Sequence, residues 1–339
     1  MEIADVSTEG LPRILVIAGP TAVGKSSFAV AVAEQVGGEL VNADSVQLYR
    51  ELDIGTAKPT DEQRERVPHH LFDVLDPDQE SNVADYVRLA SNAIAEIRER
   101  GKLPVVVGGT GMYIRVLVHG IFDAPEPDEQ IRQRYKDIAA EKGSPHLHEK
   151  LQGIDPDLAD NVHPNDAVRI IRGLEVFEQT GKPLSVHQRE HRFKKPNYDA
   201  LKVGLLRPRQ ELYDRINLRA DQMIEEGLLD EYRGLIERGY DRELKPLQSL
   251  GYRQMGEHLF DGVPLDEAVA SMKKHTRRYA KQQISWFRSE PDLRWAMAPV
   301  CDEGALPDEV RVDLEAFAGG ASPALDWADL EPYDVERDT

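Results

Sequence analysis

Short apolar runs alternate with helical patterns along the first third of the chain. Residues 14–18, 39–42, 70–75 and 103–107 are apolar stretches, each followed by turn-forming residues, and they predict buried strands. Between them, 26–36 and 83–100 carry a helical period, with Val83, Tyr86, Val87, Ala90, Ile94 and Ile97 forming one apolar stripe in the second. Such alternation predicts an α/β fold with a parallel sheet flanked by helices, whose ligands sit at the carboxyl ends of the strands. From 124 to 196 the pattern changes to polar helices separated by Pro125, Pro127, Pro145, Pro156, Pro164 and Pro183, which predicts a mostly helical insertion domain. An apolar strand over 201–206 then returns to the sheet. Helices follow over 209–226, 228–238 and 265–288, with 250–254 in a connection. The expected organisation is a core over 11–123 and 197–299, the insertion over 124–196, and an acidic tail over 300–339.

Composition narrows the class. The 339 residues are 40% hydrophobic, enough for a real core, and no apolar stretch approaches the roughly 20 residues that span a bilayer. The first ten residues hold Glu2, Asp5 and Glu9 and lack the basic start and apolar core of a secretory signal, so a cytoplasmic protein with no membrane partner is expected. One cysteine, Cys301, excludes an intramolecular disulfide and a Cys-rich zinc module. Net charge is −19, which by itself opposes a polyanionic partner. Its distribution changes that picture, because 302–339 holds 12 acidic and two basic residues and is expected to be a weakly ordered appendage. By contrast 273–288 carries six Lys or Arg and no acid, interleaved with Tyr279, Trp286 and Phe287. A second basic cluster is Arg189, Arg192, Lys194 and Lys195. Either cluster alone reads as a solvated face, but two of them in an acidic chain point to a polyanionic partner.

The clearest chemistry follows the first strand. Gly19, Pro20, Thr21, Ala22, Val23, Gly24, Lys25 and Ser26 fit G-x-x-x-x-G-K-[ST], a phosphate loop. Its glycines let the backbone curl so that N–H groups face phosphate oxygens, Lys25 supplies a cation, and Ser26 offers a hydroxyl to Mg²⁺. The helix that begins there adds the positive end of its dipole. A P-loop NTPase-like core is therefore expected, with a nucleotide such as ATP as one candidate ligand. Beyond the second and fourth strands, Asp44 and the turn Gly108-Gly109-Thr110-Gly111 converge on the same crevice. Asp44 and Asp73 are the candidate carboxylates. A small-molecule kinase would use Asp44 for Mg²⁺ or the phosphoryl acceptor; a different transferase would use it as a proton acceptor. Residue types alone leave both open. His69 and His70 lack a second ligand cluster at metal-binding spacing and are expected to form ordinary hydrogen bonds.

Several longer motifs resemble one family. GPTAVGKS (19–26), NADSVQLYRELDIGTAKP (42–59), PHHLF (68–72), VGGTGMY (107–113), HPNDAVRIIRGLEV (163–176), LGYRQM (250–255) and TRRYAKQQISWFR (276–288) run in the order seen in bacterial tRNA dimethylallyltransferases, also called IPP transferases. Together they cover about residues 13–297. Gln282 and Gln283 stand where members often carry a basic residue before glutamine, and the tail beyond Pro299 has no counterpart. The resemblance implies transfer of a dimethylallyl group from dimethylallyl diphosphate to N6 of the adenine 3′ of the anticodon. On that reading the phosphate loop grips diphosphate rather than cleaving ATP, with Mg²⁺ held through Ser26. It also implies that Asp44 takes the N6 proton, that Arg219 reaches the diphosphate, and that Thr21 orients substrate. The matching motifs further imply that Asp44, Ser45, Val46, Gln47, Thr110, Arg132, Val168, Arg169, Ile170, Ile171, Arg172, Gln248, Ser249, Leu250, Gly251, Tyr252 and Arg253 lie against a tRNA anticodon stem-loop, with at least one of Val168, Ile170 and Ile171 in the core. The enzyme is expected to be a monomer. A free adenine-nucleotide prenyltransferase and a non-enzymatic RNA-binding module are the other readings.

Overall fold

A computed structural model describes residues 10–120, 125–191, 196–298 and 308–321. Arg192, Lys194, Lys195 and Cys301, and most of the acidic tail, lie outside them. Two compact units emerge, one from 1–118 with 197–339, the other from 119–196.

The first unit is built on a parallel sheet of six strands in the order β3 (His69–His70), β2 (Glu39–Asn42), β4 (Pro104–Gly108), β1 (Arg13–Ala18), β5 (Asp199–Leu206) and β6 (Leu293–Met297). Along the chain β1 (Arg13–Ala18), α1 (Lys25–Val36), β2 (Glu39–Asn42), α2 (Asp61–Arg66), β3 (His69–His70), α3 (Val83–Glu99), β4 (Pro104–Gly108) and α4 (Gly111–His119) come first. Their side chains divide cleanly between the two faces of the sheet. Ile14, Val16 and Ala18 of β1 join a core with α3 and α4, whereas Leu15 and Ile17 pack with Phe28, Ala29 and Val32 of α1. A strand covered on both faces needs a continuous apolar run, which is what β1 supplies. Each buried Ile, Leu or Val there contributes about 1.5–3 kcal/mol.

The second unit holds α5 (Glu129–Lys142), α6 (Ser144–Ile154), α7 (Pro156–Ala159), α8 (Ala167–Thr180) and α9 (Leu184–His191). Its core gathers Tyr135, Leu147, Leu151, Ile170, Ile171 and Leu174. Asp128 and Asp166 cap α5 and α8 by accepting backbone N–H groups, which fixes where these polar helices begin. The chain then re-enters the first unit as β5 (Asp199–Leu206), α10 (Arg209–Glu225), α11 (Leu228–Glu237), α12 (Tyr252–Asp261), α13 (Leu265–Arg288), β6 (Leu293–Met297) and α14 (Asp308–Ala318).

Three expectations are corrected. The strand placed over 70–75 stops at His70, because Leu71 (φ 63°) and Asp73 (φ 58°) take left-handed backbone that cannot continue a ladder. Segment 250–254 is not all connection. Gly251 (φ 93°) starts α12, and the Gln254 side chain accepts the Gly251 N–H at 2.9 Å. Within the tail, 308–318 is a helix packed on α1 rather than a loose appendage: Leu314 and Phe317 are buried, and Arg13 donates to the Phe317 carbonyl at 2.8 Å. Strand β6 and helices α2 and α4 had not been expected.

Candidate functional site

The loop leaving β1 turns through Ala22 (φ 62°) and Gly24 (φ 109°) into α1, so its N–H groups line a concave nest at a helix N-terminus. Close approach of the neighbouring loops depends on Gly108, where a Cβ would lie 2.2 Å from the Ala43 carbonyl oxygen. With that contact permitted, Ala43 N–H donates to Val107 at 2.8 Å, Thr110 N–H to Ala43 at 3.2 Å, and Ser45 N–H to Thr110 Oγ1 at 3.1 Å. The ends of β2 and β4 are thereby stitched beside the phosphate loop. Asp44 closes its own turn, its Oδ1 accepting Val46 N–H at 2.9 Å and Gln47 N–H at 3.4 Å.

A cavity of about 1120 Å³ opens over this nest, lined by Thr21, Ala22 and Gly24 of the loop, by Lys25, Ser26 and Ser27 of α1, by Asp44 and Gln47, by Lys58, Arg64 and Asp73, by Arg215 and Arg219, and by Tyr279 and Gln283. A second cavity of about 340 Å³ shares Thr21, Ala22, Asp44, Thr56, Arg219, Met223 and Tyr279 with it and extends to Gln248, Ser249, Leu250 and Arg253. Its remaining wall is mostly apolar, including Val46, Ile216, Ala220 and Met272. Asp44, Arg219 and Tyr279 therefore line both the cavity over the loop and the more apolar one beside it.

Charge is concentrated at that junction. Burial of the Lys25 ammonium pushes its pKa down to about 8; the charge of Asp44 opposes this and that of Arg219 adds to it. Lys25 Nζ donates to the Pro20 carbonyl at 2.6 Å. Arg219 is lowered by burial, again opposed by Asp44, and a guanidinium stays cationic there. Arg215, one turn earlier on α10, donates to the Ala22 carbonyl at 3.0 Å and braces the loop from outside. Burial and the Asp44 charge both raise the Tyr279 phenol, which stays protonated.

Asp73 is already committed. Burial opposes its ionisation, but Lys58 at 2.5 Å and Arg64 at 3.1 Å outweigh this and hold its carboxyl below the usual range. Lys58 is almost fully enclosed and also reaches Asp53 at 2.6 Å. Of the two sequence candidates, Asp44 alone forms no ion pair among the described residues. His69 Nδ1 bonds the Val67 carbonyl and His70 Nε2 the Glu39 carboxylate, both at 2.7 Å. Ser26 lines the large cavity and makes no side-chain hydrogen bond among the described residues, so its hydroxyl is free. One protein oxygen beside phosphate oxygens and water is a donor set that suits Mg²⁺.

A family model described as IPP transferase matches residues 47–290, and one described as isopentenyl transferase matches 12–71. The chain belongs to the IPP transferase family. It is 53% identical over 285 residues to a tRNA dimethylallyltransferase of Syntrophobacter fumaroxidans, covering 84% of this chain and 83% of that one. A second relative, from Pelobacter propionicus, is 50% identical over 289 residues, covering 85% and 94%. Among solved structures, the tRNA isopentenylpyrophosphate transferase of Bacillus halodurans superposes with a TM-score of 0.65 at 40% identity, covering 91% of this chain and 96% of its own. A eukaryotic dimethylallyltransferase acting on tRNA gives 0.80 at 28% identity, covering 93% and 81%. The P-loop-like parallel sheet is thus that of IPP transferases.

Other residues named from the sequence sort by burial. In the helical unit, Ile170 and Ile171 are core, while Val168 is 79% exposed on α8. Arg132 and Arg172 both bind Glu175, a fully buried carboxylate, at 2.9 Å and 2.6 Å, so each has an internal partner. In the first unit Tyr252 is fully buried and donates to Glu231 at 2.6 Å. Sequence reasoning did not single out Lys58, Arg215, Tyr279 or Gln283 as site residues. The spacing of Arg215 to Arg219 and of Tyr279 to Gln283, four residues on one helix face, was the available signal.

Among the described residues no helix is long and apolar enough to cross a membrane. On α13, Lys273 pairs with Asp221 at 2.6 Å and Arg277 bonds Asn217 at 2.5 Å. Lys274, Arg278 and Lys281 are exposed and form no ion pair among the described residues, a basic stripe on one side of the helix.

Proposed function

We propose that the protein transfers the dimethylallyl group of dimethylallyl diphosphate to N6 of the adenine 3′ of the anticodon in tRNA, releasing diphosphate, and does so as a cytoplasmic monomer. The observation that carries this reading is the shared wall of the two cavities. It puts Asp44 between a cationic phosphate nest and an apolar space that opens toward 248–253.

The C1–O bond of the donor breaks as C1 bonds N6. The N6 proton passes to the Asp44 carboxylate, and the electron pair of the broken bond leaves on diphosphate. Adenine N6 is a weak nucleophile because its lone pair is delocalised into the ring, and a positioned base typically contributes about 10²- to 10⁴-fold. Loop N–H groups, Lys25 and Arg219 face the charge that grows on the leaving group, which favours the transition state over the ground state. Thr21, at the mouth of both cavities, orients donor and acceptor. Mg²⁺ bound through Ser26 would neutralise diphosphate charge. The apolar wall of Val46, Ile216 and Met223 suits the prenyl chain and a base withdrawn from its stack, the usual route to chemistry on a base. The turn Asp44 to Gln47, Thr110 and the 248–253 segment flank that base. Exposed Val168 and Arg169 contact the RNA from the helical unit, the domain given to tRNA, while the side chains of Ile170, Ile171, Arg132, Arg172 and Tyr252 support those surfaces.

The protein, Mg²⁺ and labelled dimethylallyl diphosphate are incubated with an anticodon stem-loop, with AMP, or with ATP in place of the donor. Label on the stem-loop adenine alone supports the proposal. Label on AMP, or phosphate transfer from ATP, would sink it.

A further inference from the structure

Helix α13 reaches into the phosphate loop through one side chain. Gln283 is 6% exposed; its Oε1 accepts the Thr21 N–H at 2.9 Å and its Nε2 donates to the Gly109 carbonyl at 3.0 Å. The fit is close on both sides, since a Cβ on Gly109 would lie 2.3 Å from Gln283 Nε2. A single amide thus ties the first turn of the phosphate loop to the loop after β4. Neither end can slide without leaving a buried backbone group unpaired, which is costly. Tyr279, one turn earlier on the same face, lines both cavities, while Lys274, Arg278 and Lys281 occupy the solvent side of the helix.

We infer that Gln283 is a positioning residue for diphosphate: it turns the Thr21 N–H away from the ligand, fixing the curl of the loop so that the following N–H groups and Lys25 converge on the phosphate oxygens. The inference rests on the proposed function only for the identity of the donor, because the loop's grip on diphosphate is measurable without any transfer. Gln283 acts through Thr21 and Gly109 and needs no contact with the reacting atoms.

The test compares full-length wild type with Gln283→Met, which keeps length and loses both hydrogen bonds, and with Ala268→Gly, which weakens the same helix far from the loop. Affinity for inorganic diphosphate with Mg²⁺ is read by calorimetry, and KM and kcat with dimethylallyl diphosphate and a stem-loop in parallel. Gln283→Met should raise the diphosphate Kd and the donor KM roughly five- to tenfold and lower kcat as well, leaving stem-loop Kd within about twofold. Ala268→Gly should lower the melting temperature and leave the diphosphate Kd unchanged. Gln283→Asn, too short to span both partners, should fail to rescue, whereas Gln283→Glu should retain the bond to Thr21 and recover melting temperature without recovering diphosphate affinity. An unchanged Kd in Gln283→Met, or an equal rise in Ala268→Gly, overturns the inference. Wild type that binds diphosphate but modifies no RNA would overturn the proposed function alone.

Discussion

Tyr252 donates its hydroxyl to Glu231 Oε1 at 2.6 Å, and the same carboxylate accepts the N–H groups of Asp53, Ile54 and Gly55 at 3.0, 2.8 and 3.2 Å. One anion therefore organises the segment that delivers Thr56, Ala57 and Lys58 to the cavity. Gly55 must lack a side chain, because a Cβ there would meet the Tyr252 ring at 2.5 Å. Glu231→Ala leaves several donors without their acceptor and should cost about 3 kcal/mol. Thermal melting reads the loss, and protease cleavage near 53–58 should appear in the variant first. A melting temperature equal to wild type would show that water replaces the carboxylate at no cost.

Asp44 does two jobs that substitution can separate. Its Oδ1 closes the turn onto Val46 and Gln47, and its charge faces Lys25 and Arg219. Asp44→Asn keeps an acceptor for the turn and removes the base, so kcat should fall about 10²- to 10⁴-fold with stem-loop Kd preserved. Asp44→Ala should lose turnover and, through the opened turn, RNA affinity as well. Equal loss of binding in both variants, measured by filter retention, would count against the proton-acceptor role.

The depressed Lys25 gives a pH signature. The free ammonium loses its proton as pH rises through about 8, so donor KM should climb and kcat should fall above that pH. Lys25→Arg, which cannot deprotonate in this range, should flatten the profile. For stability the sign is opposite to that of a paired cation. Below pH 8 the lysine is charged in both folded and unfolded chains and its desolvation penalty is fully present. Between about 8 and 10.5 the folded state binds fewer protons, so stability rises with pH from this group. A KM that stays level from pH 7 to 9.5 would remove Lys25 from diphosphate binding.

Much of the sheet was legible because β1 and β4 carry unbroken apolar runs, β2 and β5 are short, mostly apolar segments, and the phosphate loop has fixed spacing. β3 was read too long, since a run such as Leu71 to Leu75 does not reveal that Leu71 and Asp73 turn left-handed. β6 was missed although Leu293, Trp295 and Met297 alternate with Arg294 and Ala296, because five half-exposed edge residues carry little signal. At the site, Asp44 and Lys25 could be named from motif position. Gln283 and Glu231 could not, as their role lies in backbone groups 262 and about 177 residues distant in sequence.

Helix α14 offers a stability test away from the chemistry. Phe317 is buried against α1, its ring lies 5.1 Å from the Arg13 guanidinium, and its carbonyl accepts from the same group. Phe317→Ala should cost about 3 kcal/mol and lower the melting temperature by several degrees, with kcat and donor KM unchanged. No shift would mean that the helix is detached in solution.

The stripe on α13 separates RNA contact from internal pairing. Lys273 and Arg277 are held by Asp221 and Asn217, whereas Lys274, Arg278 and Lys281 face solvent four and three residues apart. Phosphate contacts by free cations release counterions, so each one removed should lower the slope of log K against log salt by roughly 0.7–0.9. Replacing all three with Gln should therefore weaken stem-loop binding strongly at low salt, reduce the slope by about two, and leave inorganic diphosphate affinity intact. Replacing Lys273 and Arg277 should instead disturb the α10–α13 contact and lower the melting temperature with little change in slope. If both pairs of measurements respond alike, the stripe is a solvated face and RNA is held elsewhere.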